Sequence, residues 1–330
     1  MTEPARTDDI DDLDDVDQQE LLAPFAPSTP PLIDDAGRVR LSFSRIDSYQ
    51  NCPRKFRYAY IDRLPSVPSP HLSFGSSVHA ALEQFYDRKL PGCPPVDELL
   101  DALYTAWESE GFADLDRDEQ VAFYRQAQQV LRRYHQRVEG TYRLPAATEA
   151  WFDMPFDDEA VVVGSIDRVD RDDDGALHVV DYKTNRRAQD RQRVAKSLQL
   201  GIYALACEHL FGQRPATVSL DFLVPGIEVA VPIDDIDLDA AHTAVIDTAR
   251  AIREGKYEPT PNRLCDWCDF KAVCPAWDDD SAEALGPMTM EADRLRREVV
   301  RKARQLHELE TGLERVRNEL DAATAAQRDS

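Results

Sequence analysis

The sequence predicts an α/β fold, a small mixed central sheet flanked by helices, on three observations. Apolar residues recur at helical spacing from residue 44 to 52, from 74 to 90 and in two stretches of 95–140. The period then changes to two in TEAWFDMPF, AVVVGSIDRVDR and ALHVVDYKT, three successive strands with turns at Asp157-Asp158 and DDDG. After these comes a helical run ending at Gly212, a strand pair around Pro225-Gly226 and a helix over 236–254. Helices on either side of a short set of strands supply cover for both faces of one sheet.

In chain order, residues 1–36 hold eleven acidic groups against the single basic Arg6, followed by a Pro-rich stretch. Such a segment buries too little apolar surface to offset its lost conformational freedom and is expected to be disordered. Order is expected to begin at residue 37 and to run to about residue 280. Ser44 is the expected N-cap of the first helix, with Asp47 three positions on. Pro53 ends that helix just after Cys52. FGSSVHAALEQFYDRKL places Val78, Leu82 and Phe85 on one face of the second helix, and residues 95–140 form a helical insertion.

From residue 288 to 326 the apolar residues Leu295, Val299, Leu306, Leu309, Leu313, Val316 and Leu320 follow steps of three and four, with Lys302 breaking one position. Nine acidic and nine basic residues balance over 288–330. A long exposed helix with one apolar seam is expected, a coiled coil that self-associates or docks a protein partner, with packing on the chain's own core as the alternative.

The net charge is −23, and no apolar run approaches the ~20 residues of a membrane span. No apolar signal segment opens the chain, so a cytoplasmic location with reduced thiols is expected. The six cysteines are then not a disulfide framework. The acidic balance lowers the case for a nucleic-acid partner, since phosphates need positive charge. Basic residues are nonetheless clustered. TNRRAQDRQRVAK carries Arg186, Arg187, Arg191, Arg193 and Lys196 against one aspartate, and CPRKFR carries Arg54, Lys55 and Arg57. Solvated helix faces are the plain reading of either cluster; DNA contact is the functional one.

VVDYKT is the most informative stretch. Side chains two apart on a strand share a face, so Asp181 and Lys183 point together, and a salt bridge alone would explain them. One strand earlier Asp167 lies within apolar sequence. Adjacent antiparallel strands can bring Asp167 beside Asp181, an arrangement that holds a divalent cation and is costly without one. Gln199 and Tyr203 are four apart on one helix, as are His79 and Glu83 on another, with surface packing as the alternative for each pair.

Taken in order, GSSVH, GSIDR, DYK and QLGIY resemble the RecB-like branch of the PD-(D/E)xK nuclease superfamily. The resemblance implies a restriction-endonuclease-like core and spans residues 75–203. It implies that His79, Asp167 and Asp181 bind Mg²⁺ or Mn²⁺ and that Lys183 positions or deprotonates the attacking water. Gln199 and Tyr203 then support the site near the DNA path. The expected activity is a DNA nuclease, an exonuclease on single strands or duplex ends in repair or recombination. The rival is a non-catalytic DNA-binding or assembly subunit. No G-x-x-x-x-G-K-[ST] sequence is present, so the chain is not itself a helicase motor.

RLCDWCDFKAVCP places Cys265, Cys268 and Cys274 at gaps of two and five, and 212 residues separate Cys52 from Cys265. This is looser than common zinc ribbons. Thiolates suit zinc and iron–sulfur centres alike, so ligand type leaves the two open. The one-plus-three pattern is similar to the iron–sulfur variant of the RecB-like nucleases, including the AddB nuclease domain and the CRISPR adaptation nucleases. That resemblance implies a [4Fe–4S] cluster on these four cysteines, stapling both ends of the domain. Cys93 and Cys207 are read as loop and core residues.

Overall fold

A computed structural model describes residues 31–277, apart from Pro65, Val67, Pro68 and residues 88–91. The heptad-patterned segment 288–326 and the acidic tail up to residue 30 lie outside the described residues. Ile33 bridges to Val39, and Asp34 closes a turn on Arg38, so packed structure begins before the expected boundary at residue 37.

Six strands form one mixed sheet: β1 (Val39–Leu41), β2 (Ala147–Phe156), β3 (Ala160–Arg171), β4 (Leu177–Lys183), β5 (Thr217–Phe222) and β6 (Ile227–Pro232). The alternating apolar pattern of β3 puts it at the centre. One edge of β3 pairs antiparallel with β2, from Phe156–Ala160 to Ala147–Val169. The other edge is shared. β1 runs parallel along Ala160–Val162, and β4 runs antiparallel along Arg168–Arg171. Among the described residues, 163–167 have no strand partner on that second edge. β4 then pairs parallel with β5, and β5 antiparallel with β6.

Helices cover both faces, each over its own core. Against one face lie α1 (Phe43–Asn51), α7 (Leu198–Phe211) and α8 (Leu238–Arg253), which bury Ile46, Leu200 and Val245 with Val162, Val179 and Val218 of the sheet. Against the other lie α3 (Pro70–Tyr86), α4 (Val96–Ala106) and α5 (Arg117–Val138), which bury Val78, Leu103 and Leu131 with Val180 and Tyr182. The period of two in β4 is what divides Val179 from Val180 and Tyr182. Two short helices, α2 (Pro53–Phe56) and α6 (Arg191–Val194), complete the α-helices among the described residues.

Local chemistry corrects several expectations. The N-cap of α1 is Ser42, not Ser44: Ser42 is extended and its hydroxyl accepts from Arg45 N, while Ser44 already lies in the first turn. Pro53 follows an extended Cys52 and opens α2 at a position where its missing N–H costs nothing. α3 starts at Pro70 rather than Phe74, by the same rule. The helical run before Gly212 is broken after Val194, where Ser197 turns extended and caps α7 through Leu200 N. Gly212 ends α7 at φ 67°, left-handed as a helix stop requires. No described helix is long and apolar enough to cross a membrane.

Two motif glycines act through close approach. A Cβ at Gly164 would lie 2.7 Å from the Phe152 ring across the β2–β3 pair. A Cβ at Gly75 would lie 3.3 Å from Thr184 Oγ1, so the missing side chain lets α3 rest on the end of β4.

Candidate active site

Register brings three carboxylates into a row across three strands. Asp167 stands opposite Glu149, between the pairs Thr148–Arg168 and Ala150–Ile166. On its other side the β3–β4 ladder stops at Arg168–Val180, and Asp167 and Asp181 occupy the next position. There the Asp167 side chain replaces a main-chain acceptor: Tyr182 N donates to its Oδ2 at 2.7 Å. α3 brings His79 to the same point, with Nδ1 3.4 Å from Asp167 Oδ2. His79, Glu149 and Asp167 offer ligand atoms that all lie within 4.8 Å of one another.

Asp181 and Lys183 share a strand face, with Lys183 Nζ 2.5 Å from Asp181 Oδ2. That contact lies off hydrogen-bonding geometry, so buried Oδ2 has no hydrogen-bond partner although it has a charge partner. α7 supplies the link between them. Gln199 Oε1 accepts from Lys183 Nζ at 2.7 Å, and its Nε2 donates to Asp181 Oδ1 at 2.8 Å and to the Tyr203 hydroxyl at 3.0 Å. Gln199 and Tyr203 are buried beneath the acid–lysine pair.

The electrostatics are those of crowded acids. Burial pushes Asp181 up to about 6, against the Lys183 ammonium that pulls it down, while Asp167 adds to the rise. Burial also raises Glu149. Burial lowers His79, but the Asp167 contact and the neighbouring carboxylate charges outweigh it and hold the imidazole above its usual range. Hard carboxylate oxygens, one imidazole and an acceptor left without a hydrogen bond form a donor set that fits Mg²⁺ or Mn²⁺.

The sequence profile of the PD-(D/E)XK nuclease superfamily matches residues 40–275. The chain belongs to that superfamily. Two phage proteins are similar to this nuclease-superfamily chain along most of its length. The Gene 69 protein of Mycobacterium phage D29 is 26% identical over 267 residues, covering 72% of this chain and 96% of the phage protein. The Gene 69 protein of Mycobacterium phage L5 is 25% identical over 288 residues, with the same coverage of 72% and 96%. Among solved structures, that of SSO0001 aligns at a TM-score of 0.32 and 19% identity, over 62% of this chain and 84% of that one. A score so low carries no argument here.

Elsewhere in the superfamily core, Cys52, Cys265, Cys268 and Cys274 line one cavity of about 500 Å³. All four are free thiols. Burial raises the Cys268 thiol, and Cys52 and Cys274 are near enough to add to the rise. The cysteines are not drawn as close as the His79 group is. Tetrahedral zinc, at about 2.3 Å per thiolate, would set the sulfurs about 3.8 Å apart. The two ends of the domain also meet without sulfur. Tyr58, Leu64 and Phe270 form a small core, the Tyr58 hydroxyl donates to Val273 O at 2.9 Å, and Asn262 Nδ2 donates to Asn51 O at 3.0 Å.

The basic residues divide. Arg186 and Arg187 are exposed beyond the end of β4, and Lys55 is exposed. Arg54 and Lys55 both line the cysteine cavity, and Arg54 has Nε buried and its guanidinium over the Tyr58 ring at 5.8 Å. Arg57 pairs with Asp62, and Arg191 pairs with Asp235 at 3.0 Å.

Two site residues escaped the sequence reading. Glu149 lies in TEAWF, where the available signal was an acid in an alternating strand. It adopts φ 41°, a left-handed conformation that costs about 1–3 kcal/mol outside glycine and that the flanking strand pairs hold in place. Glu83, which shares a helix face with His79, is exposed and outside the close group. The second is Arg168, the residue after Asp167. Its buried Nη1 donates to the hydroxyls of Tyr134, Tyr182 and Tyr86 at 2.6, 2.7 and 3.3 Å, and its Nε donates to Asp170. Arg168 thus ties β3 to β4, α3 and α5, immediately beside the carboxylate row.

Proposed function

We propose that the chain is a Mg²⁺- or Mn²⁺-dependent deoxyribonuclease of the RecB-like branch, an exonuclease on single strands or duplex ends in repair or recombination. The observation that carries this reading is the close group of His79, Glu149 and Asp167, with the Asp181–Lys183 pair on the adjoining strand. His79, Asp167 and Asp181 are assigned as metal ligands, and Glu149 joins them. A divalent ion there supplies Lewis-acid stabilisation of the phosphoryl oxygens and lowers the pKa of a water.

The chain's own residues do the rest. Gln199 fixes the Lys183 ammonium through Oε1 and the Asp181 carboxylate through Nε2, so two opposite charges keep a set spacing. Lys183 is then a preorganised cation where negative charge develops on the phosphate, and it orients the attacking water. The Tyr182 amide fixes Asp167. Exposed Arg186, Arg187 and Lys55 offer contacts to the phosphate backbone.

The cysteine cavity supports a second part of the proposal, a [4Fe–4S] cluster held by Cys52, Cys265, Cys268 and Cys274. What favours it over zinc is the one-plus-three cysteine pattern, which resembles that of the iron–sulfur nucleases. Its role is to anchor residues 51–58 to residues 260–274. Residues 288–326 are assigned to self-association or to a protein partner.

The deciding assay incubates anaerobically purified protein with DNA labelled at the 5′ or the 3′ end, with Mg²⁺ or Mn²⁺. Metal-dependent release of mononucleotides or short products from one end is expected. No cleavage by metal- and cluster-loaded protein would leave the non-catalytic assembly subunit as the reading.

A further inference from the structure

A cavity of about 470 Å³ is built partly from the site's own elements. His71 and Phe74 come from α3, Phe123 and Gln126 from α5, and Asn185 and Arg186 from the segment directly after Lys183. On α3, Phe74 and His71 precede His79 by five and eight residues, about 7.5 and 12 Å along the helix axis. That is one or two nucleotide steps of an extended strand. Gly75 lets α3 lie against Thr184, which also lines the cavity.

The lining has the chemistry of a nucleobase site. His71 and Phe123 meet at 5.7 Å between ring centroids, and buried Phe74 backs Phe123 at 6.2 Å, giving an aromatic wall. Gln126 and Asn185 each carry a donor and an acceptor, the pair of functions that a base edge presents. Arg186 is exposed and makes no ion pair among the described residues, in contrast to Arg137 and Arg191, which are paired with Asp221 and Asp235. The volume lies within the ~300–1,000 Å³ of small-ligand sites. A base can enter such a cavity only unpaired, since a paired base is held in its stack. In a chain of net charge −23, long-range attraction to phosphate is weak, so stacking has more of the affinity to supply.

We infer that this cavity binds an unpaired base of the substrate strand, one or two nucleotides from the scissile phosphate, with Arg186 on the adjoining phosphate. This rests on the nuclease reading above and deepens it: the strand at the site is single. The test is a single-stranded oligonucleotide series in which one abasic residue is moved step by step from the cleaved bond. Wild type, Phe123→Ala, Phe123→Trp and Arg186→Ala are compared, with bis(p-nitrophenyl) phosphate as a diester without a base.

In wild type, an abasic residue one or two steps away should raise KM about tenfold, equivalent to about 1.4 kcal/mol, within the range of one base–aromatic stack. Phe123→Ala should raise KM for the intact strand similarly and be indifferent to the abasic residue. Phe123→Trp keeps a stacking face and should keep the sensitivity, which guards against misfolding of the alanine variant. Arg186→Ala should raise KM for intact and abasic strands alike. Wild type and both Phe123 variants should hydrolyse the base-free diester equally. A flat abasic scan in wild type, or an equal abasic penalty in folded Phe123→Ala, overturns the inference while cleavage itself keeps the nuclease reading. A wild-type protein that cleaves neither substrate overturns both.

Discussion

Gln199 Oε1 accepts a hydrogen bond from Lys183 Nζ at 2.7 Å, and the other end of the same amide holds Asp181. Gln199→Ala frees both charges without removing either. We expect kcat to fall about 10- to 100-fold, with KM little changed, because the lost effect is on positioning in the transition state. Lys183→Ala should abolish turnover. Equal kcat for wild type and Gln199→Ala, at matched metal loading, would contradict the assigned role.

Asp181 gives a pH signature. Its folded pKa of about 6 lies above the ~3.9 of an unfolded aspartate, so the metal-free fold binds the proton more tightly. Its contribution is therefore fully present below pH ~4 and is lost as pH rises through about 6, amounting to at most about 3 kcal/mol. In EDTA, Tm should fall over that window in wild type, and Asp181→Asn should remove most of the fall and be the more stable protein at pH 7.5. Mn²⁺ should restore wild-type stability at neutral pH and progressively fail to do so below pH 6, since ion and proton compete for one carboxylate. Melts on a pH grid with and without Mn²⁺ check each sign.

Glu149 should behave as a ligand. Glu149→Gln is expected to weaken Mn²⁺ binding in calorimetry about tenfold or more while leaving the metal-free Tm unchanged or raised, since a strained, half-buried acid becomes neutral. Unchanged affinity would return the site to His79, Asp167 and Asp181 alone.

Arg168→Met should destabilise the fold on the order of 3 kcal/mol, because three buried hydroxyls lose a charged donor. Chemical denaturation measures it. A loss below about 1 kcal/mol would mean that the tyrosines satisfy one another through the Tyr86–Tyr134 and Tyr134–Tyr182 contacts.

Cys268→Ala should lose iron and sulfide together and melt at lower temperature, while the Tyr58 and Asn262 contacts keep the domain folded. Metal analysis of anaerobic wild-type protein decides the centre: one zinc per chain, without iron or sulfide, would replace the cluster.

The short ordered motifs were legible because each depends on local spacing. Asp181 and Lys183 share a face through the strand period, and Gln199 and Tyr203 through the helix period, whatever the rest of the chain does. Five of the six described strands were equally plain in their alternation, but β1 was not, since three residues carry too little pattern. Glu149 was not, because its place opposite Asp167 is a matter of cross-strand register over 18 positions of sequence. The aromatic cavity was further out of reach: His71, Phe123 and Asn185 come from three elements more than 50 residues apart, and nothing local marks them as neighbours. Spacing set Cys265, Cys268 and Cys274 together, and only the resemblance joined Cys52 to them, because that cysteine is more than 200 residues away in sequence.

Asp167 ends the β3–β4 ladder with a side chain where a carbonyl would otherwise stand. One carboxylate therefore spans the gap between the two strands at that position. Aperture and charge are separable at that position. An asparagine keeps the acceptor for Tyr182 and the gap it spans, while stripping the charge. A glutamate keeps the charge and forces the jaws one methylene wider. A comparison of these two substitutions reads the molecule's tolerance for distance apart from its demand for negative charge.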